Sequence, residues 1–142
     1  THPVANLPSW LSSTVLLEAS DPYLYLRTTA DGRIIAGGED EASATAHTDR
    51  RRLTAKSHAI LAQVRALLPT ARPVLSHRWA GAFGESPTGL PIIDHLPGAP
   101  RCHVVLGFGG NGFTHSMIAA HLTADTLDGR RDPDAQLYRA PR

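Results

Sequence analysis

The stretch YLYLRTTADGRIIA, residues 23–36, decides the fold. Tyr and Leu alternate before the Asp31-Gly32 dipeptide, and Ile34 and Ile35 follow it. Because glycine tolerates the positive φ that a tight turn requires, this pattern predicts a β-hairpin with strands at residues 23–28 and 33–36. Upstream, the apolar residues 14–17 and the turn-forming residues 20–22 predict one further short strand.

One long helix is predicted after the hairpin. Residues 48–68 carry apolar side chains at the spacing of a single helical stripe, and Pro69 ends the pattern. Residues 74–83 and 90–93 are typical of strands, whereas residues 84–89 and 97–100 are typical of turns and loops. The predicted class is α+β: the hairpin and the strand at 74–83 form an antiparallel sheet, and the helix packs across one face.

A glycine-rich loop occupies the C-terminal part of the chain. Residues 103–106, HVVL, have the apolar pattern of a strand buried on both faces, and they lead directly into GFGGNG at 107–112. The loop matches G-x-G-x-x-G between that strand and a helix predicted at 114–127, which Gly129 closes. A dinucleotide fingerprint continues into a second parallel strand, but residues 130–134, RRDPD, contain none. A self-contained Rossmann site is therefore excluded.

Two interpretations of the glycine loop stay open on these grounds. Glycines let a ligand approach the backbone closely, and the N–H groups at the start of a helix attract an anion or a polarised carbonyl oxygen. The loop could equally be a tight turn that packs the helix against its strand.

Composition narrows the classes of function. Of the 142 residues, 42% are hydrophobic and 19% are charged, which suits one globular core. The formal net charge of +1 argues against nucleic acid and a polybasic membrane arm, and favours a small neutral or zwitterionic ligand. Cys102 is the only cysteine, so we expect a reducing, cytoplasmic setting. No apolar run approaches the roughly 18 residues of a membrane span.

The eight histidines predict no metal site. They show neither a paired carboxylate nor a His-x₃-His spacing, and His115 and His121 fall on different sides of the predicted helix. The acidic run at residues 39–41 favours a helix N-terminus rather than acid–base catalysis. The sequence thus assigns no catalytic residue.

Three segments together resemble the D-amino-acid-oxidase and glycine-oxidase superfamily of FAD enzymes. They are YLYLR at 23–27 with DGRIIAGGED at 31–40, WAG at 79–81 with GLPII at 89–93, and GFGGNGF at 107–113 before an Ala-rich helix. They follow the family's own C-terminal order over most of the chain. The resemblance implies that residues 1–100 belong to a substrate domain and that residues 101–142 would join an FAD-binding domain.

The resemblance also implies an activity and a set of site residues. The activity is oxidation of a C–N bond of a small amine or amino acid by a bound flavin. The implied flavin-contacting residues are Trp79, Gly81, Gly109, Gly110, Asn111, Gly112 and Phe113.

Substrate contacts are implied for Tyr25, Arg27 and Phe83. Amino-acid-oxidising relatives commonly place an arginine, shortly after the Trp-Ala-Gly motif, that clamps the substrate carboxylate, and that position here is Phe83. Either Arg27 or Arg78 supplies the charge instead, or the substrate lacks an α-carboxylate.

The family's N-terminal strand, phosphate-binding glycine loop and ribose-binding acid have no counterpart in the sequence. We therefore expect a C-terminal fragment that is inactive alone and binds no FAD without a missing N-terminal segment. The alternative is a stand-alone, non-catalytic module or subunit that contributes half of a flavin site. An unrelated ligand-binding domain would be favoured if the glycine loop were buried against protein. Because an unpartnered apolar surface favours self-association, a homo-oligomer is also expected.

Overall fold

The structure is a computed structural model that describes residues 1–140. The chain forms two compact units, the first spanning Thr1–Ala82 and the second beginning at Phe83. The predicted α+β class is confirmed, since each unit combines a small antiparallel sheet with an α-helix. The strand that begins at Ile92 pairs within the second unit.

The first unit contains the predicted hairpin. Its sheet has the order β1 (Leu16–Leu17), β2 (Leu24–Thr28), β3 (Ile34–Gly38), with both pairs antiparallel. Leu26 lies opposite Ala36, and Gly32 takes a φ of 76° in the connecting turn. The Asp-Gly signal therefore placed the hairpin correctly.

Helix α1 (Arg50–Leu67) begins and ends within two residues of the predicted bounds. Its N-terminus is capped by Asp49, whose carboxylate accepts hydrogen bonds from the backbone N–H groups of Arg51 and Arg52 at 2.8 and 3.2 Å. The helix supplies Val64 to the core of the unit. The fully enclosed core side chains include Leu11, Leu26, Ile34 and Val64.

Residues 74–83 form no strand, contrary to the sequence prediction. An extended segment needs a sheet edge to satisfy its backbone groups. At Ile34, the outer edge of β3 is instead occupied by residues 1–3: the Thr1 nitrogen donates to the Ile34 carbonyl at 2.8 Å, and Pro3 bridges to Arg33. The segment consequently leaves large side chains in solvent, and Trp79 is 68% exposed.

The second unit is built on another hairpin, formed by β4 (Ile92–Leu96) and β5 (Ala99–Leu106). The predicted loop at 97–100 narrows to a tight turn in which Gly98 has a φ of 79°. Helix α2 (Gly112–Leu127) buries Ala119 and Leu122, and a 3₁₀ helix follows at Pro133–Tyr138.

The strand expected at 103–106 is not buried on both faces. Val104 and Val105 are half-buried, whereas His103 and Leu106 are exposed. In the described residues this strand belongs to a sheet of two strands, so neither face is fully covered. Within residues 1–140, no helix combines the length and the apolar character that crossing a membrane requires.

Candidate functional site

The glycine loop joins β5 to α2 and is anchored at its beginning. The Gly109 N–H donates to the Gly84 carbonyl at 3.0 Å, and Phe108 forms a β-bridge with Glu85. Gly107 and Gly109 have φ values of 73° and 53°. Because this left-handed conformation is strained for residues with a Cβ, glycine is favoured at both positions.

The end of the loop, by contrast, is open. A Cβ added at Gly110 or at Gly112 would meet no atom within 4 Å. Asn111 precedes α2 without capping it, because its side chain accepts no hydrogen bond from the first turn. The first backbone N–H groups of the helix therefore face an approachable surface, and they carry the positive end of the helix dipole.

Phe113 lies beside this open helix start and is 99% exposed. The first turn of α2 contains no acidic side chain. An acidic side chain lies close to the preceding loop, since Glu85 Oε1 is 3.6 Å from the position that a Cβ at Gly109 would take. An anionic or polarised oxygen would thus be favoured at the helix start and disfavoured towards Gly109.

The outer face of the first sheet presents two of the predicted substrate residues. Strand β2 buries Leu24 and Leu26 and exposes Tyr25 and Arg27, so alternation places the latter pair on one face. The Tyr25 ring covers Gly37, where an added Cβ would overlap the phenol. Residues 1–140 contain no hydrogen-bond or ion-pair partner for Arg27.

Tyr23, which is not among the substrate residues expected from the sequence, extends the same face. Its ring stacks on Tyr25 with centroids 6.1 Å apart, and its hydroxyl donates to the Asp40 carboxylate. This hydrogen bond, with desolvation and the charge of Asp40, raises the pKa of Tyr23 to about 12. The alternation of Tyr23, Tyr25 and Arg27 along one strand is the signal that could have identified it.

The remaining predicted residues are exposed. Trp79 and Gly81 lie in the extended segment of the first unit, and Phe83 opens the second unit with 55% of its surface exposed. Arg78, the other candidate for a carboxylate contact, donates instead to the Thr54 hydroxyl at 2.9 Å. The structure thus brings Tyr25 and Arg27 together in one unit and Gly109–Gly112 together in the other.

A strand, a glycine-rich loop and a helix with an open N-terminus define a protein that can offer backbone N–H groups to a polar ligand. Comparison of the sequence with family models identifies the family to which the chain belongs. The FAD dependent oxidoreductase family matches residues 3–126, most of the chain, and the chain belongs to that family. A search of curated proteins and a search of solved structures each found no match.

The family implies FAD, and the described residues fit part of that molecule. The vacant space at Gly110 and Gly112 and the uncapped start of α2 suit a flat polar edge that carries carbonyl oxygens. Both sheets of the described residues are antiparallel, so these residues include no parallel strand–helix–strand unit for the pyrophosphate and adenosine.

Proposed function

We propose that this chain is the substrate-side portion of an FAD-dependent oxidoreductase that oxidises a C–N bond of a small amine or amino acid. The proposal rests chiefly on one observation: the uncapped, sterically open helix start at Gly110–Phe113 in a member of this family. In the intact protein most of the flavin would be held by a segment outside these residues, and the chain alone would be inactive.

When bound, the flavin supplies the redox chemistry by accepting a hydride from the carbon next to the substrate nitrogen. The residues of this chain would act on the flavin through electrostatic and steric effects. The N–H groups of Gly112 and Phe113 would favour negative charge on the flavin edge that they contact, because the helix dipole and the unpaired donors act together.

Substrate binding is assigned to the outer face of β2. Arg27 offers a guanidinium without a partner in the described residues, and a carboxylate can accept two parallel hydrogen bonds from such a group. Tyr25 beside it presents a ring that is 43% exposed. We therefore favour an amino-acid substrate whose carboxylate pairs with Arg27.

The substrate assignment is tested with the protein expressed from its complete reading frame. Amino acids and the corresponding amines without a carboxylate are compared under anaerobic conditions by the loss of the oxidised-flavin absorbance. Arg27→Gln is expected to raise KM for amino acids about tenfold or more and to leave KM for the amines unchanged. The exposed Arg51→Gln serves as the matched control, and equal effects on both substrate classes would contradict the role of Arg27.

A second candidate function is a stand-alone, non-catalytic subunit that completes half of a flavin site on another protein. The antiparallel topology favours it, because no dinucleotide-binding unit occurs in residues 1–140. The coding sequence upstream of Thr1 separates the two. An in-frame strand followed by G-x-G-x-x-G supports the oxidase, whereas a nearby start codon supports the subunit.

Location and assembly complete the proposal. We propose a cytoplasmic location, because these 142 residues contain one cysteine, Cys102, which is exposed and has no second cysteine among them with which to form a disulfide. We also propose that the apolar residues on the open side of α2 are covered in the functional protein, by the missing segment or by another copy. They include Phe113, Met117 and Leu127, each more than half exposed.

A further inference from the structure

A small cavity lies within the second unit, between the β4–β5 hairpin, α2 and the 3₁₀ helix that follows α2. Its volume is about 100 Å³. Since a water molecule occupies about 30 Å³, the cavity has room for an ion with two or three waters.

Two histidines from neighbouring strands form part of the cavity wall. His95 of β4 lies directly opposite His103 of β5, and their ring centroids are 4.3 Å apart with the planes tilted by 49°. Two imidazoles bound side by side to one ion at about 2.1 Å have centroids roughly 4.5–5 Å apart. The separation observed between the two rings is close to this range.

One ring nitrogen of this pair lacks a hydrogen-bond partner in the described residues. His95 Nδ1 is buried, and the described residues offer it no hydrogen bond. A buried polar atom without a partner is destabilising. If the ring turned so that this nitrogen met the adjoining cavity, an ion there would supply the missing partner.

The charges around the cavity indicate which class of ion it would bind. Asp94 and Arg139 both contribute to the wall and largely offset each other. The Asp94 carboxylate already accepts hydrogen bonds from the backbone N–H groups of His95 and Ala140, at 2.8 and 3.1 Å. Mg²⁺ and Ca²⁺ require several oxygen ligands, so this neutral, imidazole-rich wall suits them poorly.

We propose that His95 and His103 bind a divalent transition-metal ion of the Zn²⁺, Ni²⁺ or Cu²⁺ type. Neutral imidazole is a preferred ligand of these ions. The described residues contain no group of three or more metal-ligating side chains, so the protein supplies two ligands and water completes the coordination. The hydroxyls of Thr123 and Thr126, which also line the cavity, would accept hydrogen bonds from those waters.

The test is calorimetric titration of the tag-free chain with ZnCl₂. One ion per chain is expected, with no heat from MgCl₂. His95→Ala and His103→Ala should each weaken Zn²⁺ binding about tenfold or more, because each removes one of two ligands. His121→Ala, an exposed histidine of α2 outside the cavity wall, is the matched control and should bind as the wild type does.

Protein NMR of the wild-type chain keeps the test independent of variant folding. Addition of Zn²⁺ should shift the imidazole signals of His95 and His103 and leave those of His121 in place. Binding that survives both substitutions, or signals of this pair that do not move, would overturn the proposal.

Discussion

Substitution of Leu26 by Ala should destabilise the first unit by about 3 kcal/mol. Leu26 is 0% exposed and lies in the cluster that joins the sheet to α1. The change removes three carbon groups at about 0.8 kcal/mol each, and the residual cavity adds a further penalty, within a usual range of about 2–5 kcal/mol. Urea unfolding followed by circular dichroism gives the free energy of unfolding.

Leu17→Ala is the matched control, because the same side chain on neighbouring β1 is 69% exposed. Its effect should stay within about 0.5 kcal/mol. If the two variants lost equal stability, or if Leu26→Ala were neutral, the packing of β2 against α1 would be refuted.

Three further predictions concern local features of the fold: a helix cap, a glycine in a strand and a tyrosine–aspartate hydrogen bond. Asp49→Ala should lower the free energy of unfolding by about 1 kcal/mol in the same assay, because two N–H groups of α1 lose their acceptor; no effect would contradict the cap. Gly38→Ala should lose about 2 kcal/mol or more, since Gly38 has a φ of 146° and its Cβ would collide with the Tyr23 carbonyl, whereas Gly84→Ala in open space should be tolerated. Tyr23 should titrate at about 12 by phenolate absorbance and nearer 10 in Asp40→Asn. Because the folded state raises the pKa of Tyr23, the associated stability is present below pH 10 and is lost as the pH rises towards 12.

The sequence predicted those parts of the fold that depend on local chemistry. Asp31-Gly32 determines its turn through backbone geometry alone, and the apolar stripe of α1 needs only one partner surface. The strand expected at residues 74–83 failed because pairing is non-local: the edge of β3 near Ile34 is occupied by Thr1, and no spacing within the segment reveals that competition.

In the candidate site, too, local features could be predicted from the sequence and non-local contacts could not. The open start of α2 was foreseeable from glycines placed between a strand and a helix. The hydrogen bond between Gly109 and Gly84 could not be predicted from the sequence. The cross-strand pairing of His95 with His103 could not be predicted either, because it depends on the register of β4 with β5. Two histidines eight residues apart can be recognised as neighbours only when the position of the turn between their strands is known.

The central claim is that the start of α2 contacts a flavin, and the most direct measurement is the flavin content of the protein purified from its complete reading frame. Gly112→Val fills the space that the flavin edge would occupy, while Ala120→Val adds a similar side chain at an exposed position further along the helix. We predict a flavin absorbance band in the wild type and Ala120→Val, and its loss or an approximately tenfold weaker affinity in folded Gly112→Val. Equal flavin content in all three proteins, or none in the wild type, would contradict the claim.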